Sequence, residues 1–191
     1  MFYSEYLRCA DKHLKSCSTL LSLYQADPSN DFEVLCDLYY LSGYILEGIT
    51  IHTAYKINQW PSNHEINDIR FYDLAFVNRT NMDFFHYRRI NGQVIPNHGL
   101  KVQGHNFQQI ARSLLINQGP FGNDNVTPYF GNGPLSPQVL QLINCWQPEM
   151  RYLYRNQSNN SSMPVLTYPL MEELVNACKT IFQQTITLVG I

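Results

Sequence analysis

The side chains with chemical reach fall in a few places along the chain. His105 and Asn106 stand just before an apolar-periodic run, where a helix start would present unsatisfied N–H groups that favour an anion. Their simplest role is to cap that helix, and the functional alternative is a contact to phosphate or substrate. Glu47 sits among Ile45, Leu46 and Ile49, so its carboxylate needs a partly buried polar partner. Arg151 is the candidate for that ion pair, and a shifted, site-forming carboxylate is the second reading. Tyr152, Tyr154 and Arg155 have the flat faces and the cation that stack on bases or hold phosphate, or else they pack against a core or a dimer seam. Arg88 and Arg89 lie beside a turn and would meet solvent, an acidic partner or phosphates.

Metal and nucleophile chemistry receives little support. No pair of the six His sits one helical turn apart beside a carboxylate, and there is no HExxH. The five cysteines (Cys9, Cys17, Cys36, Cys145 and Cys178) show no CxxC and no ligand-like spacing, and four of them fall in helical patterns beside apolar neighbours, which predicts reduced, buried thiols. A GxSxG elbow, a P-loop and a Rossmann glycine pattern are absent. The expectation is no metal and no cofactor.

The elements that must carry these residues are mostly helical. The chain has 191 residues, 45% of them hydrophobic and only 15% charged, with 13 Tyr and 10 Phe. Charge runs below the usual ~25% of soluble domains, so part of the surface is expected to be hidden in a partner, most simply a homodimer. A net charge of −2 gives no global pull towards nucleic acid or an anionic membrane. The N-terminus lacks the pattern of a signal peptide, and no apolar stretch is expected to reach the ~18 residues of a span. Reduced thiols then suit the cytoplasm, where triplets such as Asn78-Arg79-Thr80 are chance matches.

The spacing of apolar residues predicts a helix over 4–25, with Tyr6, Leu7, Ala10, Leu14, Cys17, Leu21 and Tyr24 on one stripe. Asp27-Pro28-Ser29 ends it. Asn30 with Glu33 reads as a capping box for a second helix to about Ile57, antiparallel to the first. Residues 58–103 lose the rhythm and read as an insertion, with Asn91-Gly92 marking a β-hairpin. Helical rhythm resumes at Asn106. A Gly/Pro/Asn-rich loop covers 117–134, and Ser136-Pro137 opens another helix. Pro148 interrupts it at Gln147. After a polar loop over 156–166, Thr167 begins a last helix with Leu170, Leu174, Ala177, Ile181 and Leu188 inward. The fold class is all-α: an up-and-down bundle of about five helices in one domain over 1–191.

Four stretches, in order, resemble the HEPN family: 6–14 on the first helix, 38–47 on the second, Gly104-His105-Asn106-Phe107 at the next, and, more weakly, Pro148-Glu149-Met150-Arg151-Tyr152. The resemblance covers about half the chain and implies a small, usually dimeric helical bundle. It also implies a toxin-like, metal-independent endoribonuclease held by a nucleotidyltransferase-like antitoxin, or a non-catalytic binding module. The family's ribonuclease motif is Arg, four to six residues, then His. The imidazole moves protons at the 2′-OH or the leaving oxygen, and the guanidinium neutralises charge building on the phosphate. Here Arg151 is present but Asn156 stands where the shortest motif wants His, and an amide cannot exchange a proton near neutral pH. Arg8 with His13 and Arg79 with His86 satisfy the spacing elsewhere. Chance alone supplies roughly 0.75 such pairs in a chain of this composition, and neither lies on the expected element.

The sequence therefore points to a non-catalytic or degenerate HEPN-like module that binds nucleic acid, nucleotide or a protein partner as a dimer. Its candidate binding residues are Arg151, Tyr152, Tyr154, Arg155, His105, Asn106 and Glu47. The alternatives are a ribonuclease with an atypical site drawn from Arg151, His105 and Asn156, and a structural oligomerisation domain.

Overall fold

The structure, a computed structural model, describes residues 2–26, 32–57, 61–65, 87–90, 93–96, 135–152 and 163–189. Helix α1 spans Tyr3–Ala26 and α2 spans Phe32–Ile57. Strand β1 (Tyr87–Ile90) pairs antiparallel with β2 (Gln93–Pro96), Tyr87 opposite Pro96 and Ile90 opposite Gln93. Helix α3 (Pro137–Cys145), a 3₁₀ turn (Pro148–Tyr152) and helix α4 (Tyr168–Val189) follow. Among the described residues the chain is predominantly helical, with four α-helices, and this places it in the all-α class. The helix expected from Asn106, the Asn30 cap and the Asn91-Gly92 turn lie outside the described residues.

The local rules are visible where the helices begin and end. The Ser136 side chain accepts from the N–H of Val139 at 3.2 Å, and Pro137 follows in the first turn, where its missing N–H costs nothing. Helix α3 stops at Cys145 because Trp146 turns extended, at ψ 135°, two residues before Pro148. Glu33 in the first turn of α2 and Lys56 in its last complement the helix dipole. The expected loop after α2 contains a turn closed by the His64 N–H donating to Pro61 O at 3.1 Å.

Helix α2 is the centre of the described structure. It packs against α1, α4 and the 3₁₀ turn, while α4 also touches α1 and α3. The α1–α2 pair is antiparallel, since Tyr3 meets His52 and Tyr55, and His13 meets Tyr44. A Cβ on Gly48 would lie 2.6 Å from the Tyr6 carbonyl oxygen and 3.2 Å from Ala10 Cβ. The missing side chain thus sets how closely the two helices approach. The core joins Leu14, Leu38, Ile45 and Ile49 to Leu142 and Ile143 of α3 and to Leu174 and Ile181 of α4.

Two expectations are corrected. The first concerns α2, which carries a window, Phe32–Thr53, long and apolar enough to cross a membrane by length and composition. Of that window 72% is buried inside the protein, as in the core helix of a packed domain. The second is that Cys9 is exposed and Cys145 half-exposed, whereas Cys17, Cys36 and Cys178 are buried as expected. Cys9 lies beside the α1 stripe of Leu7, Ala10, Leu14 and Cys17 and points away from the core.

Candidate functional site

Helix α2 is buried on every side from Ile45 to Thr53, so its polar residues there have no route to water along any face. Glu47, Thr50, His52 and Thr53 are all within 6% of full burial. Thr50 resolves its hydroxyl locally by donating to Leu46 O at 2.7 Å. His52 Nδ1 donates to the Tyr3 carbonyl at 3.3 Å. A carbonyl can only accept, so the proton sits on Nδ1 and Nε2 carries a bare lone pair. That Nε2 and the Thr53 hydroxyl have no hydrogen-bond partner among the described residues. Burial, with the Lys56 charge adding to it, holds His52 below its ordinary pKa against the opposing pull of the Tyr3 carbonyl.

Glu47 lies one helical turn from Gly43 and close enough to Tyr6 to act on it. Burial first and the Glu47 charge second push the Tyr6 hydroxyl up to about 12. Tyr3 stacks on Tyr55 with centroids 6.2 Å apart and tilts against His52 at 5.2 Å. This end of the α1–α2 pair therefore collects a carboxylate, an imidazole and three phenols.

The other end of α2 anchors the chain that leads to Arg151. Trp146 Nε1 donates to Tyr40 O at 3.2 Å, and the Tyr39 hydroxyl donates to Leu142 O at 2.9 Å. The Trp146 indole lies against the bare Cα of Gly43, and any Cβ there would collide with it. Tyr44 meets Trp146 edge-on at 5.2 Å and Tyr40 at 4.9 Å. Arg151 then falls in the 3₁₀ turn that packs on α2. At the junction of α1, α2 and α4, Cys178 donates to Ser42 O at 3.7 Å. Burial pushes Cys17 up to about 12 and Cys178 higher still, so both stay as inert thiols.

Of the residues expected to form a site, the structure describes the whole of Glu47 and the backbone of Arg151 and Tyr152. The Arg151 and Tyr152 side chains lie outside the described residues, and with the first of them the ion pair expected between Arg151 and Glu47. So do His105, Asn106, Tyr154, Arg155, Asn156 and the pair Arg79 and His86. Arg88 and Arg89 fall on β1, opposite Ile95 and Val94. Arg8 and His13 are five residues apart on α1, so they point about 140° apart around it and do not converge. Sequence reasoning passed over His52, Tyr3 and Tyr6, because a His in an apolar run carries no signal of its partner. It also passed over Cys9 with His13, whose Sγ and Nε2 are 3.2 Å apart. Their i,i+4 spacing on a strongly periodic helix was the available clue. Among the described residues no group of three or more His, Cys, Asp or Glu could hold a metal ion.

Comparison with known proteins gives no match to a family model, to a curated protein or to a solved structure.

Proposed function

We propose that this chain is a non-catalytic, HEPN-like helical module that binds RNA or a nucleotide through the face carrying Arg151, and that it works as a homodimer in the cytoplasm. One observation carries the reading. The 3₁₀ turn bearing Arg151 packs on α2, directly after a tryptophan tied to Tyr40 O and seated on Gly43. An arginine on so firmly anchored a backbone is suited to holding a phosphate. Asn156 in place of an imaginable proton-transferring His argues for binding without cleavage. Five free thiols suit a reducing compartment. In this reading the domain is a bundle of about five helices, with β1 and β2 inside an insertion over 58–103. A nucleotidyltransferase-like protein is the partner the family resemblance suggests.

The test is fluorescence anisotropy of purified protein with labelled mixed-sequence RNA across a salt series, beside an Arg151→Ala variant and a cleavage assay in EDTA. Binding without cleavage is expected, with the variant weaker and its salt slope smaller by about 1. Cleavage that survives EDTA would replace this reading with the ribonuclease one. Absence of any RNA or nucleotide binding from a dimeric protein would leave a protein-binding or structural oligomerisation role.

A further inference from the structure

We propose that Cys9 and His13 form a binding site for a thiophilic divalent cation of the Zn²⁺ type on the exposed side of α1. The two residues are one helical turn apart, and Cys9 Sγ lies 3.2 Å from His13 Nε2. In a tetrahedral site, metal–sulfur and metal–nitrogen bonds of about 2.3 and 2.0 Å hold the two donors about 3.5 Å apart. The observed pair is within a small side-chain adjustment of that spacing. The donor types are also matched, since thiolate and imidazole together select Zn²⁺ and its relatives over Mg²⁺ or Ca²⁺.

The surroundings favour capture. Cys9 is exposed, so an ion reaches the sulfur without opening the core. The His13 ring is half-buried and tilts against Tyr44 at 6.0 Å, which restricts its rotation and keeps Nε2 on the sulfur side. Both residues stand inside a 24-residue helix whose other face is fixed by Ala10, Leu14 and Cys17 in the core. The donors are therefore presented by a rigid element rather than by a loop. On binding, the hydrated cation loses two waters, the thiol proton leaves to solvent, and S–metal and N–metal bonds replace the thiol–imidazole contact. No oxidant is involved. Water completes the coordination shell, because the described residues offer no third ligand.

Co²⁺ is the direct probe, because a thiolate–Co²⁺ bond gives a charge-transfer absorption that oxygen and nitrogen ligands do not. The full chain, freshly reduced and freed of reductant, is titrated with Co²⁺ and then with Zn²⁺ as competitor. Cys9→Ser, His13→Gln and the control Cys145→Ser are run beside it, with circular dichroism to check the fold. The expected result is a saturable thiolate band that Zn²⁺ abolishes. Cys9→Ser should remove it, His13→Gln should weaken Co²⁺ binding at least about tenfold, and Cys145→Ser should leave it unchanged. A wild-type chain without the band overturns the proposal. So does a folded His13→Gln chain with undiminished affinity, since the thiol would then be acting alone.

Discussion

Around Tyr39 and Tyr40, α2 is tied by hydrogen bonds to the segment of α3 and Trp146; around His52 and Thr53 it buries polar atoms that find no partner among the described residues. Tyr39 donates to Leu142 O and the Tyr40 carbonyl accepts from Trp146, so these two groups are answered by α3 and by the residue after it, while the nearby Ser42 hydroxyl is buried without a partner among the described residues. About three and a half turns further on, His52 Nε2 and Thr53 Oγ1 are buried without a hydrogen bond among the described residues. A satisfied buried hydrogen bond adds about 0.5–1.5 kcal/mol, while an orphaned buried group costs about 1–3 kcal/mol. One helix thus carries a stabilising end and a costly end. Selection for stability alone would replace those side chains with Val or Leu, so the costly end is a second place to probe beside the Arg151 turn.

The largest expected effect lies at the anchored end. Trp146→Ala removes an indole that is 3% exposed, together with its hydrogen bond to Tyr40 O and its contact with Gly43. A buried Trp truncated to Ala costs about 3–5 kcal/mol. Urea unfolding should show that loss in the midpoint, and the Arg151 turn, no longer tethered, should lose protection from proteolysis. A loss under about 1 kcal/mol would mean that this end is not the anchor described.

A smaller, pH-dependent effect belongs to the costly end. Burial and the Lys56 charge hold His52 below its ordinary value of 6.5 in the folded chain. The unfolded chain therefore takes up the proton first as pH falls. The stability tied to neutral His52 is whole above 6.5 and drains away as pH drops through the folded value. His52→Asn keeps a donor near the Tyr3 carbonyl and abolishes the titration. Between about pH 7 and pH 5.5 the wild-type chain should lose more urea stability than the variant. Parallel profiles would show that His52 does not enter the core in its neutral form.

The parts of this molecule that were legible in its sequence are those written in local chemistry. The apolar stripe of α1, the Ser136 cap with Pro137, and the interruption before Pro148 each depend on residues within a few positions of one another. They agree with the structure to within a residue or two. The burial of α2 on all sides was not legible. Whether Thr50, His52 and Thr53 face solvent depends on which elements wrap the helix, and those come from distant segments. The same holds for Gly43, whose need for a bare Cα is set by Trp146, 103 residues on. Glu47 was legible as an anomaly, a carboxylate in an apolar run. The phenol of Tyr6 that feels its charge belongs to another helix. The pairing of Cys9 with His13 stands in the sequence at helical spacing, but neither a His pair nor a CxxC marks it.

The smallest expected change is also the one that most directly separates answered from unanswered hydroxyls on α2. Thr53→Val keeps the β-branched shape and exchanges a buried hydroxyl for a methyl. If the hydroxyl is an orphan, its removal relieves a desolvation cost, and the chain should be unchanged or more stable by up to about 1 kcal/mol. The same exchange is usually harmful where the hydroxyl has a partner, as Thr50 does in Leu46 O, so Thr50→Val is the matched control on the same helix. Urea midpoints of the two variants should move in opposite directions, or Thr53→Val should stay still while Thr50→Val falls. A clear loss in Thr53→Val would mean that its hydroxyl is answered by a segment outside the described residues. The costly end of α2 would then be a closed polar core like the other, and the Arg151 turn would remain the one place to probe for function.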